Sequence, residues 1–165
     1  MKLFLVFTGI FFCLHAPAQE RRDSDSAKYY ADKGQHALAL PFAQRSFGAV
    51  KNAGNKDSAY IAVANLLGGI YSGLVKLDSA AVYFEKAIER AKKIHGENSP
   101  LHGHLTVDVG RVYTDLGQYR DAGQRFQRAT AILQRMDSAS YTIDSWDHKV
   151  FYTHYLINYA YFHVR

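Results

Sequence analysis

The chain has 165 residues, 48% of them hydrophobic and 21% charged, with a formal net charge of +5. That length holds one compact domain or one short repeat array, and the composition excludes an intrinsically disordered chain. Its densest basic groups, Arg21-Arg22 and Arg90-Ala91-Lys92-Lys93, each have an acid close by, the pattern of a solvated helix face and not of a nucleic-acid-binding stripe.

Residues 1–18 differ in character from the rest of the chain. Lys2 gives a short positive start, Leu3 to Leu14 is a nearly unbroken apolar run, and Ala16-Pro17-Ala18 has the small residues that a signal peptidase accepts. The run is too short for a spanning helix, which needs about 20 residues. Phe11 and Phe12 precede Cys13 where a lipoprotein signal would need small side chains. The expectation is a cleaved signal peptide over residues 1–18, export to the periplasm or beyond, and a mature chain over 19–165 without membrane insertion. Cys13 is the single cysteine, so that mature chain would have no disulfide, thiolate nucleophile or cysteine-bound zinc.

From there the hydrophobic period is helical throughout. It predicts helices over 20–33, 36–53, 57–74, 78–95, 99–116, 119–136 and 145–165, and no segment alternates at period two long enough for a strand. Asp57-Ser58 and Asp78 are read as caps of the third and fourth helices, and Asn98-Ser99-Pro100 as a cap with proline just inside the fifth.

A repeat underlies this pattern. Leu67, Gly68, Tyr71, Ala80, Phe84 and Ala87 are echoed by Val109, Gly110, Tyr113, Ala122, Phe126 and Ala129, each 42 positions later. A weaker copy has Tyr30, Gly34, Ala39 and Phe42, with Ala43 and Ser46 where Phe84 and Ala87 would fall. A fourth copy begins near Leu156 to Ala160. Mid-helix glycine costs about 1 kcal/mol relative to alanine, and close approach of a second helix offsets that. The expectation is that Ala80 and Ala122 face Gly68 and Gly110, while Tyr71 with Phe84 and Tyr113 with Phe126 fill the wider end of each pair.

These residues resemble the tetratricopeptide repeat family, in the longer variety found in kinesin light chains and many bacterial signalling proteins. The linker from His95 to Pro100 is similar to that variety's linker. The resemblance covers residues 20 to 165 and implies an all-α fold: a right-handed α-α solenoid of stacked helical hairpins. Its units would span about 20–55, 56–97 and 98–140, with a partial unit over 141–165. It implies an exported interaction scaffold that binds a peptide or protein partner, the sensing or docking part of a larger signalling system. The first helix of each unit would line a concave groove. By register with the family, the groove candidates are Lys28, Asp32, Asn65, Ser72, His104, Asp108, Arg111, Asp115, His154 and Asn158. Asn65 and Asn158 resemble asparagines that clamp a peptide backbone, since an amide both donates and accepts. The mixed charges of Asp108, Arg111 and Asp115 point to a polar peptide ligand.

Other chemistries find little footing. His102 and His104 lie at alternate positions of a helix start and do not face one another, and no His-Glu-x-x-His motif occurs, so no metal or cofactor is expected. No Walker-type or GxGxxG run is present, and no serine has a recognisable activating motif. The chain is read as no enzyme, with no nucleic-acid partner. The last helix is dense in aromatics. Tyr152, Tyr155, Tyr159 and Phe162 recur at helical spacing for packing on the preceding hairpin, whereas Phe151 and Tyr161 point elsewhere. An aromatic face left without a covering helix is read first as a fragment or shortened relative of a longer array, since a stack normally carries a polar terminal cap; the alternative reading is a structural or assembly factor that self-associates through residues 141–165.

Overall fold

Small side chains set the spacing of the helices. The computed structural model describes residues 21–52, 57–135 and 148–164, so the signal-peptide expectation and the spacer before the last helix lie outside the described residues. The chain forms α1 over 21–32, then α2 (His36–Asn52), α3 (Asp57–Gly73), α4 (Leu77–His95), α5 (Pro100–Asp115), α6 (Tyr119–Arg135) and α7 (His148–Val164). There is no strand among the described residues. The predicted spans agree with these to within a residue or two, apart from the start of α7. The helices form an all-α solenoid: α3 packs on α4 and α5 on α6 as hairpins, α2 meets α3, α4 meets α5, and α7 lies against both α5 and α6.

Within the hairpins the close approach is real, and the atoms nearest each glycine belong to an aromatic ring. A methyl group added at Gly68 would sit 2.7 Å from ring carbons of Phe84, and one at Gly110 would sit 3.1 Å from the ring of Phe126. The glycines therefore lie beneath the aromatic ring of the facing helix, and Ala80 and Ala122 are fully buried in the same hairpins. An aromatic ring packed against bare backbone fills more of the gap than a methyl pair would. Tyr71 stacks on Tyr83 at 5.3 Å between centroids, and Phe47 packs edge-on against the same Tyr83. In the first hairpin Ala43 and Ser46 occupy the corresponding buried places, and Phe42 stacks on Tyr30 instead.

The turns inside the hairpins repeat as faithfully as the packing. Gly34, Val75 and Gly117 each have a positive φ, of 71°, 58° and 74°. Each is followed by the same reversed bond: Gln35 N to Tyr30 O, Lys76 N to Tyr71 O and Gln118 N to Tyr113 O, at 2.8–2.9 Å. This is the Schellman closure of a helix, which calls for a residue in the left-handed region. Glycine meets that need twice and valine once.

Between hairpins the linker closes α4 through Gly96, whose N–H reaches Lys92 O. Ser99 then caps α5: its Oγ accepts from His102 N at 3.3 Å and donates to Gly96 O at 3.0 Å, with Pro100 at the first helical position. Asp78, in contrast, is no cap. Lys76 precedes α4 without any side-chain cap bond, and Asp78 sits inside the first turn, where its charge complements the helix dipole. Asp57 likewise is the first residue of α3 and pairs with Arg90 at 2.8 Å. Pro41 lies inside α2, further from its start than the first turn that suits proline best, on an exposed side.

Candidate binding groove

The groove is built by the first helices of successive hairpins. Along α3, Ser58, Ala62, Asn65 and Leu66 fall on one stripe, at the spacing that brings helical residues onto a common face. Leu101 and Leu105 form the matching stripe on α5. Together with Ser24 and Lys28 of α1, Ile61, His95 and Pro100, these stripes enclose a cleft of 610 Å³. Its floor is largely aliphatic. Lys28 is the single permanently charged residue lining it. Asn65 stands in this lining with its Oδ1 buried and without a hydrogen-bond partner, an uncommon state for a buried acceptor and one that favours an incoming N–H.

Further along, the polar candidates pair with one another. Arg111 on α5 donates from Nη2 to Ser72 Oγ on α3 at 3.3 Å and lies 3.6 Å from Asp115. Tyr161 on α7 donates its hydroxyl to Asp115 at 2.8 Å. This gives a ladder of Ser72, Arg111, Asp115 and Tyr161 across three first helices. Beside it, His104 Nε2 lies 3.5 Å from Asp108. Burial pushes the Asp108 carboxyl up to about 7, against the downward pull of Arg111.

The predicted groove residues thus separate into groups. Lys28 and Asn65 line the open cleft. Ser72, Arg111 and Asp115 belong to the ladder, and His104 with Asp108 forms the buried pair. Asp32 is exposed on α1 and joins neither group. Asn158 and His104 are buried, contrary to the expectation of free groove-lining side chains, because α7 packs on α5 and covers this part of its surface. His154 lies on α7, with its side chain outside the described residues.

Two further expectations change. The charges of Asp108, Arg111 and Asp115 are engaged within the chain, so the open part of the groove is more apolar than the sequence reading held. Tyr161 does not point away; it closes the ladder. The residues that sequence reasoning missed are the aliphatic ones, Ile61, Ala62, Leu66, Leu101 and Leu105. Their signal was present, since Leu101 and Leu105 precede Asp108 on its own stripe at one-turn intervals.

The outer side of the stack is held by a different network. Glu85 on α4 accepts from Tyr113 Oη at 3.0 Å and from Arg125 at 2.5 Å. Arg128 donates to Glu97 O at 3.0 Å and Arg135 to Asn98 Oδ1 at 3.2 Å, fixing the α4–α5 linker to α6. Lys92 beside Glu97 holds that carboxyl below its usual range. No group of three or more histidine, cysteine or acidic side chains among the described residues is placed to hold a metal. No helix among them is long and apolar enough to cross a membrane.

Comparison with known proteins agrees with this architecture. Residues 60–135 match the family model described as tetratricopeptide repeat. Among solved structures, the chain is similar to BtubC (BKLC) from P. vanneervenii, with a TM-score of 0.65 at 15% identity. That alignment covers 90% of this chain and 57% of the other, so this chain spans a little over half the length of its structural neighbour. At such identity the likeness concerns the fold alone. No curated protein matches the sequence.

Proposed function

Because the chain belongs to the tetratricopeptide repeat family, whose repeats generally mediate protein–protein interaction, we propose that it is a non-catalytic scaffold that binds an extended peptide in the cleft between α1, α3 and α5. The observation that carries this reading is the cleft itself. It has a volume of about 610 Å³, is floored by Ile61, Leu66, Leu101 and Leu105, and offers one unsatisfied acceptor at Asn65 Oδ1. Aliphatic floor and isolated polar group are the combination that small, specific sites use for affinity and orientation respectively. A peptide backbone supplies the N–H that Asn65 lacks, and its side chains supply apolar surface.

Export is part of the same reading. The apolar run Leu3 to Leu14 followed by Ala16-Pro17-Ala18 supports cleavage near Ala18 and a periplasmic or secreted scaffold. The 42-residue period and the linker from His95 to Pro100 support the kinesin-light-chain-like variety and, with it, a docking or sensing role in a larger bacterial signalling system.

The test is a selection of random extended peptides against the full chain, followed by affinity measurement on variants. Leu101→Arg, which places a charge on the cleft floor, is expected to weaken the selected peptides at least tenfold. Asn65→Ala is expected to weaken them several-fold, with the circular dichroism of both variants unchanged. Peptides that bind both variants as tightly as the original chain would remove the cleft from consideration.

A further inference from the structure

A second pocket lies on the outer side of the stack, where the α4–α5 linker meets α6. Its volume is 360 Å³, and Lys92 of α4, Glu97 of the linker, His102 of α5 and Gln124, Arg125 and Arg128 of α6 line it. Arg125 donates to Glu85, and Arg128 to Glu97 O and Asn98 Oδ1, in each case through Nη2. Among the described residues, Nε and Nη1 of both guanidiniums therefore keep their hydrogens for a guest. Lys92, Arg125 and Arg128 bring three positive charges, and the carboxylates paired with them, Glu85 and Glu97, bring two negative ones. One positive charge is left over.

The preceding layer shows what this place holds when it serves packing alone. Forty-two positions earlier, Tyr60, Tyr83 and Lys86 stand where His102, Arg125 and Arg128 stand here. There Phe47 packs on Tyr60 at 5.1 Å and on Tyr83 at 5.2 Å between centroids, and Lys86 lies over both Phe47 and Tyr83. Rings fill that layer, whereas here the same positions carry hydrogen-bond donors around open volume. Guanidinium forks match the paired oxygens of an oxyanion. His102 adds a conditional donor: its Nδ1 donates to Glu97 O at 2.5 Å, so Nε2 is left for a guest and donates only from the protonated ring. The charged groups facing it are Lys92 of α4, Glu97 of the linker, and Arg125 and Arg128 of α6; no described residue of α7 lines the pocket. Burial, together with the charges of Arg128 and Lys92, holds the His102 ring below its usual range against the opposite pull of Glu97. An anion in the pocket offsets those two cations. We infer that this pocket binds a tetrahedral dianion, phosphate or sulfate, as the free ion or as the head of a small phosphomonoester. Protonated His102 and the left-over positive charge together balance two negative charges, and Ile88 in the lining offers apolar contact to an organic remainder.

Magnetic resonance titration of the full chain tests this, with sulfate, inorganic phosphate and glycerol phosphate as probes and sodium chloride of equal ionic strength as reference. The expected result is saturable shifts at His102, Arg125 and Arg128 that chloride does not produce. Sulfate keeps its charge across the range in which histidine titrates, about pH 5 to 8. Its binding is therefore expected to tighten roughly two- to fivefold from the upper end to the lower, and to raise the pKa of His102. Lys92→Gln and Arg125→Gln are each expected to weaken sulfate roughly two- to fivefold, the worth of one partly exposed charge. Lys86→Gln, in the preceding layer, is expected to leave it unchanged. Should Arg125→Gln, which also releases Glu85, fail to fold, Lys92→Gln on its half-exposed side chain carries the test. His102→Asn keeps a donor for Glu97 O and is expected to abolish the pH dependence. Tighter binding of glycerol phosphate than of phosphate identifies the phosphomonoester as the guest, and equal binding the free ion. Shifts no larger than those in chloride overturn the proposal. So does sulfate binding that survives Lys92→Gln undiminished, and pH dependence that persists in His102→Asn removes His102 from the site.

Discussion

Val75 occupies a backbone conformation that its side chain disfavours, and replacing it should stabilise the fold. Its φ is 58°, the same turn position that Gly34 and Gly117 fill in the neighbouring hairpins. A non-glycine residue in the left-handed region costs about 1–2 kcal/mol, and a β-branched one lies at the upper end. Two terms oppose the relief. Glycine adds about 0.5–1 kcal/mol of unfolded-state entropy. Losing the valine side chain forfeits only a few tenths of a kcal/mol of burial, since it is 77% exposed. Val75→Gly should therefore gain about 0.5–1 kcal/mol, raising the urea midpoint at unchanged slope and the melting temperature by roughly 1–4 °C. Val75→Ala is the control, because alanine keeps most of the left-handed cost. If alanine gained as much as glycine, the benefit would come from removing exposed apolar surface, and the backbone argument would be refuted. A lower midpoint for Val75→Gly would refute it outright.

The helical glycines should respond in graded fashion. Gly68→Ala drives a methyl into the Phe84 ring at 2.7 Å and should cost about 1–3 kcal/mol by overpacking. Gly110→Ala, with 3.1 Å to Phe126, should come out near neutral, as the helical preference of alanine offsets a smaller displacement. Gly69→Ala meets nothing within 4 Å and should gain about 0.5–1 kcal/mol. Equal midpoints for the three variants in denaturant titration would count against this ring-over-glycine packing. Asp108 predicts a pH dependence. Its folded pKa of about 7 lies above the unfolded value near 3.9, so between these values the folded state binds more protons and stability falls as pH rises. The Asp108 contribution is thus least unfavourable below about 4 and fully unfavourable above about 7. Asp108→Asn, which cannot ionise, should gain stability relative to the original chain on going from about pH 5 to pH 8. Parallel unfolding curves at the two pH values would exclude a buried, raised carboxyl.

Helix positions were legible because small and aromatic residues repeat at fixed intervals, and that repetition follows from how one hairpin seats on the next. The turn at Gly117 was equally legible, since glycine there announces its conformation. Val75 gave no such sign: a valine in a left-handed turn is intelligible only once Lys76 N is seen to reach Tyr71 O. Asp78 shows the complementary failure, a residue type suited to capping that stands two positions inside the helix start occupied by Lys76. For the groove, helical register placed Lys28 and Asn65 on the face that lines the cleft. It could not show that His104 and Asn158 are buried where α7 packs on α5, because a polar letter does not record the helix that meets it. Choosing only polar candidates also hid Leu66, Leu101 and Leu105, which form most of the cleft floor.

The rungs from Ser72 to Arg111, Asp115 and Tyr161 have a mechanical consequence. A stack joined by apolar layers alone slides and flexes at low cost, since dispersion contacts have no preferred direction. Hydrogen bonds do have one, and two of them tie α3 to α5 and α5 to α7 along a single edge. Bending that opens the edge must break them in series. The trough between hairpins consequently keeps its width.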